Sequence, residues 1–231
     1  MYTIWLWTVV ISCVVTHFLI GLFCIFTPSP MKAHRKLAKV FIRLIAKGMK
    51  MNVVVHGLEN IQSDGPYIIC SNHRSLIDIM VLIIAIPYHF NFVSKKELFW
   101  VPFIGLDQYF EGDFFIDRHN KKNAKKCMKR VEIAVKAGRN ILIFPEGTRS
   151  KTDQLLPFKR GAFKLAADCN ANVVPCYIDG SSSIVQKHSF KARPGTVSVY
   201  FLKSISPKKL SVNELQTMTF DSIQKKQKQR D

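Results

Sequence analysis

The 231-residue chain is 48% hydrophobic and carries 34 Lys and Arg against 16 Asp and Glu, a formal net charge of +18 with a pI near 9.8. That suffices for one full-sized domain with an appendage, and the charge asks for a polyanionic partner, either nucleic acid or an anionic membrane surface. The six cysteines (Cys13, Cys24, Cys70, Cys127, Cys169, Cys176) are scattered with no Cys-x-x-Cys pair, which excludes a disulfide framework or a local Cys/His metal cluster and reads as free thiols in a reducing compartment.

From Ile4 to Phe26 there are 23 residues without formal charge, a length that can span a bilayer. The start lacks a basic region and no Ala-x-Ala-like site follows, so the expectation is a retained anchor over residues 1–30 rather than a cleaved signal. The basic cluster Lys32, His34, Arg35, Lys36 and Lys39 comes next, which places the C-terminal side in the cytoplasm. Pro28-Ser29-Pro30 should stop the first helix. Over 31–51, Leu37, Val40, Phe41, Leu44 and Ile45 recur at helical spacing among lysines and arginines. That pattern suits a basic amphipathic helix in the headgroup layer; an ordinary surface helix is the alternative.

The domain proper is expected over 52–206. Asn52 to Gly57 reads as a strand and turn, and Asp64-Gly65-Pro66 as a second turn. A strand at Tyr67–Cys70 then runs into Cys-Ser-Asn-His-Arg-Ser-Leu-Ile-Asp, followed by an apolar helix from Ile79 to Ile86. Such strand-to-helix junctions are where α/β enzymes place their chemistry. His73 and Asp78 are five apart, about 140° around a regular helix. They can meet only if His73 lies in the turn and Asp78 on the first helical turn. The carboxylate would then hold one ring nitrogen and leave the other to take a proton from a substrate hydroxyl. The bland alternative is a helix cap, since Ser75 and Asp78 also fit a Ser-x-x-acidic capping pattern.

Phe90 to Ser94 is a further strand candidate. Leu98 to Leu106, with Phe99, Trp100 and Phe103 interrupted by Pro102 and Gly105, reads either as a broken core helix or as a surface for an acyl chain or lipid. Gly112 to Arg118 is a turn, a strand and a charged end, where an Arg fork can bind two phosphate oxygens. A basic-faced helix follows from about Lys121 to Lys136, ended by Ala137-Gly138. The strand Asn140–Phe144 enters Pro-Glu-Gly-Thr-Arg-Ser at 145–150, where Gly147 permits a tight turn while Glu146 and Arg149 offer a hydroxyl acceptor and a phosphate donor. A surface ion pair between Glu146 and Arg149 is the structural alternative. Leu156 to Gly161, with Lys159, leads into a helix at Ala162–Ala167. Val173 to Ile178 is a strand with an internal Pro175, which belongs at an edge or a bulge. Thr196–Leu202 is a last strand, and residues 207–231 form a helical, basic, fraying tail.

Asn-His-x-x-x-x-Asp at Asn72–Asp78 resembles the signature of the glycerolipid acyltransferases, the family of lysophosphatidate acyltransferase. Gly112–Arg118, Phe144–Ser150 and Val173–Ile178 are similar to that family's next three blocks, in order, so the likeness covers roughly Val54 to Leu202. It implies an α/β fold, a mixed and mostly parallel sheet flanked by helices, with an N-terminal membrane-embedded anchor. It further implies transfer of a fatty acyl group from acyl-CoA or acyl carrier protein to the sn-2 hydroxyl of lysophosphatidate, with His73 as base and Asp78 orienting it. Arg118, Glu146, Gly147, Thr148, Arg149 and Lys159 would bind the glycerol phosphate, with neither cofactor nor metal, on the cytoplasmic face of a membrane. The alternatives are another lysolipid or glycerol 3-phosphate as acceptor, or a covalent route through Cys70, Ser71 or Ser75. A basic membrane- or nucleic-acid-binding protein has only the charge in its favour.

Overall fold

The computed structural model describes residues 2–23, 26–27, 30–61, 65–101, 103–150, 152–185 and 191–229. The stops expected at Pro28-Ser29 and Asp64, the break at Pro102, Cys24 and the final Arg230-Asp231 lie outside the described residues. Strands β1 (Met51–His56), β2 (Tyr67–Ser71), β3 (Asn91–Lys95), β4 (Phe114–Ile116), β5 (Ile141–Ile143), β6 (Asn172–Asp179) and β7 (Gly195–Phe201) form one sheet in the order β1-β7-β6-β2-β5-β3-β4. Among the described residues every neighbouring pair is parallel except β6 with β7, so the sheet is mixed and mostly parallel, as expected.

Helices α1 (Tyr2–Phe23), α2 (Pro30–Gly48), α3 (Asp78–Ala85), α4 (Ile104–Phe110), α5 (Lys121–Lys136), α6 (Gly161–Cys169), α7 (Ser181–Ile184) and α8 (Val212–Lys228) flank it. All five residues of β2 are buried, the continuous apolar run that a central parallel strand requires. Its alternation divides the core in two. Ile69 faces one layer with Val81 and Leu82 of α3, Ile45 of α2 and Met49 just after it. Ile68 and Cys70 face the other, with Val131 of α5, Phe163 of α6 and Leu215 of α8.

Pro175 sits in an interior strand, not at an edge. The ladder accommodates it by a slip: Cys176 opposes Phe201, but Val173 bridges to Ile205, so the strand opposite carries one extra residue there. The proline is thus at a bulge, where its missing N–H has no ladder partner to disappoint. The C-terminal segment is better seated than a fraying tail. Ser211 and Glu214 close a full capping box at 3.2 and 2.7 Å, and Leu215, Thr219 and Ile223 of α8 are buried.

The N-terminal region departs most from expectation. Among the described residues, no helix is long and apolar enough to cross a membrane. A Cβ added at Gly21 would meet His34, and one at Gly48 would approach Val9, so α1 and α2 run antiparallel as a hairpin. α2 packs Ile45 and Ala46 into the core, with Met49 just beyond its end, and Lys39 Nζ donates to the carbonyls of Ile86 and Pro87 at 3.1 and 3.2 Å. It is therefore an integral layer of the domain, although Val40 and Leu44 stay exposed. Leu98 to Leu106 divides into a 3-10 turn, Lys96–Trp100, and α4; Gly105 is needed because a Cβ there would lie 1.9 Å from the Phe99 carbonyl oxygen.

Candidate active site

The carboxyl ends of β2, β4 and β5 share one edge of the parallel block, and the loops leaving them carry the motif residues. His73 lies in the turn after β2 and Asp78 opens α3, the arrangement their spacing demands. His73 Nδ1 is 2.8 Å from Asp78 Oδ2. The same oxygen accepts the backbone N–H groups of Arg74 at 2.7 Å and Ser75 at 2.8 Å. The acid is 1% exposed and the imidazole 16%, so the dyad shows only its basic end to the outside.

Asp78 is not a cap for α3, whose N-cap Ile77 has no side-chain cap; its carboxylate instead holds the N–H groups of Arg74 and Ser75 in the turn that precedes the helix, together with the imidazole. Ser75 takes no part in a reciprocal box; its hydroxyl donates to the Val185 carbonyl at 2.6 Å. Ser71 likewise donates to the Asn72 carbonyl, and both serines are fully buried. Cys70 is fully buried too, and burial pushes its thiol well above the usual range. None of the three covalent candidates is presented as a nucleophile.

The surroundings of His73 hold it still. Its ring stacks on Phe144 at a centroid distance of 4.0 Å, and its carbonyl accepts from Ser150 N at 2.8 Å. Glu146 turns inward, 3% exposed: Oε1 accepts His73 N at 2.8 Å and Oε2 accepts Leu156 N at 2.9 Å. Burial raises its pKa, opposed by those two N–H donors. It clamps the loops after β2 and β5 together rather than facing outward as a hydroxyl acceptor. Asn72 does the same toward β6, exchanging hydrogen bonds with Ile178 N and O at 2.7 and 2.9 Å. Arg74 is buried beside the dyad and pairs with Asp153 at 3.1 Å.

A basic cluster is built on Gly147, which turns with φ +70°. Arg118, from the end of β4, donates to the Gly147 carbonyl, and the Lys159 side chain lies over the glycine, so near that a Cβ would come within 2.8 Å of its Cε and Nζ. Arg118, Gly147 and Lys159 are therefore together, one residue along from the Glu146 that holds His73. Thr148 is exposed and Arg149 half-buried on the same turn. Phe144, Asn72 and Arg74 also shape the site, although the sequence alone points to none of them. Asn72 lies inside the quoted motif, but its partner on β6 is 106 residues away.

Beside the dyad, Leu76, Ile77 and Met80 border a mostly apolar, partly open cavity of about 560 Å³, lined on its other sides by α1, α2 and α4. That is within the usual ~300–1,000 Å³ of small-molecule sites. An imidazole base between a mostly apolar cavity and a basic turn can deprotonate a hydroxyl on a molecule that is apolar at one end and anionic at the other.

An acyltransferase family model matches residues 52–179, which contain all of these motif residues. The chain is 34% identical over 181 residues to the 1-acyl-sn-glycerol-3-phosphate acyltransferase of Saccharomyces cerevisiae, covering 77% of this chain and 59% of that protein. It is 34% identical over 204 residues to the chloroplastic 1-acyl-sn-glycerol-3-phosphate acyltransferase LPAT1 of Arabidopsis thaliana, covering 86% of this chain and 56% of that protein. The chain thus spans less than two thirds of the length of these curated relatives. The fold is that of the crystallised 1-acyl-sn-glycerophosphate (LPA) acyltransferase PlsC from Thermotoga maritima, with a TM-score of 0.88 at 24% identity over 100% of this chain and 96% of that one. A dyad of this geometry within the matched residues, on this fold and with these relatives, means that the chain belongs to the acyltransferase family.

Proposed function

We propose that the protein is a 1-acylglycerol-3-phosphate O-acyltransferase, moving a fatty acyl group from a thioester, acyl-CoA or acyl carrier protein, to the sn-2 hydroxyl of lysophosphatidate to give phosphatidate. The observation that carries this reading is the His73–Asp78 contact at 2.8 Å, with its base end beside the Arg118–Gly147–Lys159 turn. His73 Nε2 takes the hydroxyl proton as the oxygen attacks the thioester carbon. Asp78 stabilises the imidazolium, and collapse of the tetrahedral adduct expels the thiolate, which recovers that proton. Arg118 and Lys159, with Thr148 and Arg149 on the rim, hold the phosphate, and Gly147 lets backbone approach it. Glu146 acts through His73 as a positioning residue. The apolar cavity takes an acyl chain. Neither cofactor nor metal enters these steps.

The setting that fits is a membrane surface on its cytoplasmic face. Ile11, Leu19, Ile20 and Phe23 on α1 are exposed, and the net charge of +18 suits anionic lipid. The test offers one thioester donor with lysophosphatidate, glycerol 3-phosphate and lysophosphatidylcholine in turn, using His73→Ala as the blank. Lysophosphatidate should be strongly preferred, because a dianionic monoester gains more from the cations than a zwitterion does. Equal use of all three acceptors would overturn the phosphate assignment.

A further inference from the structure

Away from the dyad, the hairpin meets α4 through a polar cluster set in an apolar seam. His17 of α1 is 8% exposed, and the His34 side chain of α2 is 12% exposed. Asp107 of α4 and Glu111, its C-cap four residues on, face them. His34 uses both nitrogens: Nε2 is 2.9 Å from Asp107 Oδ1 and Nδ1 is 2.7 Å from Glu111 Oε1. His17 Nδ1 is 3.5 Å from the same Asp107 oxygen. The other Glu111 oxygen accepts from Arg35 Nε at 2.7 Å.

These contacts leave the buried groups poorly satisfied. Asp107 Oδ1 is shared between two imidazole nitrogens, only the His34 one within hydrogen-bond distance, and His17 Nε2 has no partner. Buried polar atoms in that condition are costly unless something else occupies the space between them. Phe41 packs against His17 at 5.6 Å between centroids, and Phe18 meets Phe103 at 5.1 Å nearby, so the cluster is walled by hydrocarbon.

We propose that His17, His34 and Asp107 form a binding site for a first-row divalent metal ion, with Glu111 as the outer carboxylate that fixes the His34 ring. Two imidazoles and one carboxylate are a zinc donor set, and a fourth position remains for water. Tetrahedral bonds of about 2.0–2.1 Å put ligand atoms roughly 3.3–3.4 Å apart. The observed 2.9 and 3.5 Å bracket that spacing, and one ligand atom from each of the three residues lies within 4.8 Å of the others. Metal-bound imidazoles characteristically give their second nitrogen to a carboxylate, the place Glu111 occupies. The ion would join α1, α2 and α4, the three helices that line the cavity, so its role is to pin the hairpin rather than to act on substrate. The proposal does not depend on which acyl acceptor the protein uses.

The test uses the purified full-length chain without tag histidines, stripped by chelator. Zn²⁺ is titrated against a chromophoric competitor, and Co²⁺ is followed by its d–d absorption. The wild type should bind one equivalent of Zn²⁺ per chain and show four-coordinate Co²⁺ bands. His17→Gln and Asp107→Asn should weaken binding at least tenfold, Glu111→Gln about 10- to 100-fold as an outer-shell change, and the exposed-residue control His56→Gln not at all. Zn²⁺ should also raise the melting temperature of the wild type and not of the two ligand variants. Absence of stoichiometric binding by the wild type, or unchanged affinity in both ligand variants, overturns the proposal and leaves the cluster as an ion network. If those variants do not fold, the wild-type cobalt spectrum decides alone: no four-coordinate bands, no site.

Discussion

Asp78 gathers three donors on one oxygen: a ring N–H and two main-chain N–H groups. Its removal therefore does two separable things. Asp78→Ala strands two backbone donors in a buried place, at about 1–3 kcal/mol each, so a loss of activity would be confounded with a loss of fold. Asp78→Asn keeps an acceptor oxygen and loses only the charge opposite the imidazolium. We expect Asp78→Asn to melt near the wild type but to turn over roughly 100-fold or more slowly, and His73→Ala to be inactive. Turnover by folded His73→Ala at near wild-type rates would end the mechanism. In the same assay Cys70→Ser should keep substantial activity, because a fully buried thiol held in its protonated form cannot carry the acyl group. Arg118→Ala should raise KM for lysophosphatidate about tenfold or more, the loss of one charge-assisted contact of ~1.5–3 kcal/mol; an unchanged KM would remove Arg118 from the phosphate site. The dyad was legible in the sequence because it is local, five residues spanning a strand end and a helix start. The role of Glu146 was not, since its partners are the main-chain N–H groups of His73 and Leu156, and a carboxylate next to Gly147 gives no sign of pointing inward.

At the scale of elements, the basic-faced helix expected from about Lys121 to Lys136 is α5, and the structure adds its Asn120 cap and the buried Val131 and Val135. Pro175 marked a bulge correctly but not its interior position, because strand order is a property of the whole sheet. The hairpin was not legible: an uncharged run followed by a basic helix has the same pattern whether the two separate or fold together. The turn before β4 makes a prediction that sequence could not. Asp113 Oδ1 accepts Phe92 N at 2.9 Å and Asn91 Nδ2 at 3.2 Å, tying that turn to β3. Burial lifts its pKa from 3.8 to about 7, against the pull of those donors. A folded-state pKa above the unfolded one means the folded protein binds the proton more tightly, so this contribution to stability is full below about pH 4 and is lost as pH rises through about 7. Asp113→Asn keeps the acceptor and has no charge to bury. Denaturant melts should show the variant gaining stability relative to the wild type between pH 4 and pH 8; a gap that does not change with pH would mean that Asp113 is not the titrating group.

For the molecule as a whole, the question is how a mixed α/β domain carrying this dyad would be held where the proposed lipid acceptor lies. Two forces are available, and they respond differently to salt. The first is apolar. Ile11 is 61% exposed, Phe23 70%, Phe26 85% and Trp100 80%, and Phe18 packing on Phe103 places α1 beside the start of α4. The second is electrostatic, from an excess of 18 positive charges, screened beyond about 8–10 Å at physiological ionic strength. Because α1 folds back on α2, the attachment we propose is through that hairpin, seated in one leaflet. Flotation with neutral phosphatidylcholine vesicles, and with vesicles containing anionic lipid, at low and high salt separates the two forces. We expect binding to both compositions, tighter to the anionic vesicles at low salt, with that difference vanishing at high salt while a salt-resistant fraction remains. Phe23→Ser combined with Trp100→Ser should convert the protein to one that salt releases, without altering the His73–Asp78 contact or its activity on a dispersed short-chain acceptor. Complete release of the wild type by salt alone would show that the apolar face is not inserted, and indifference to the paired substitution would place the insertion elsewhere on the hairpin.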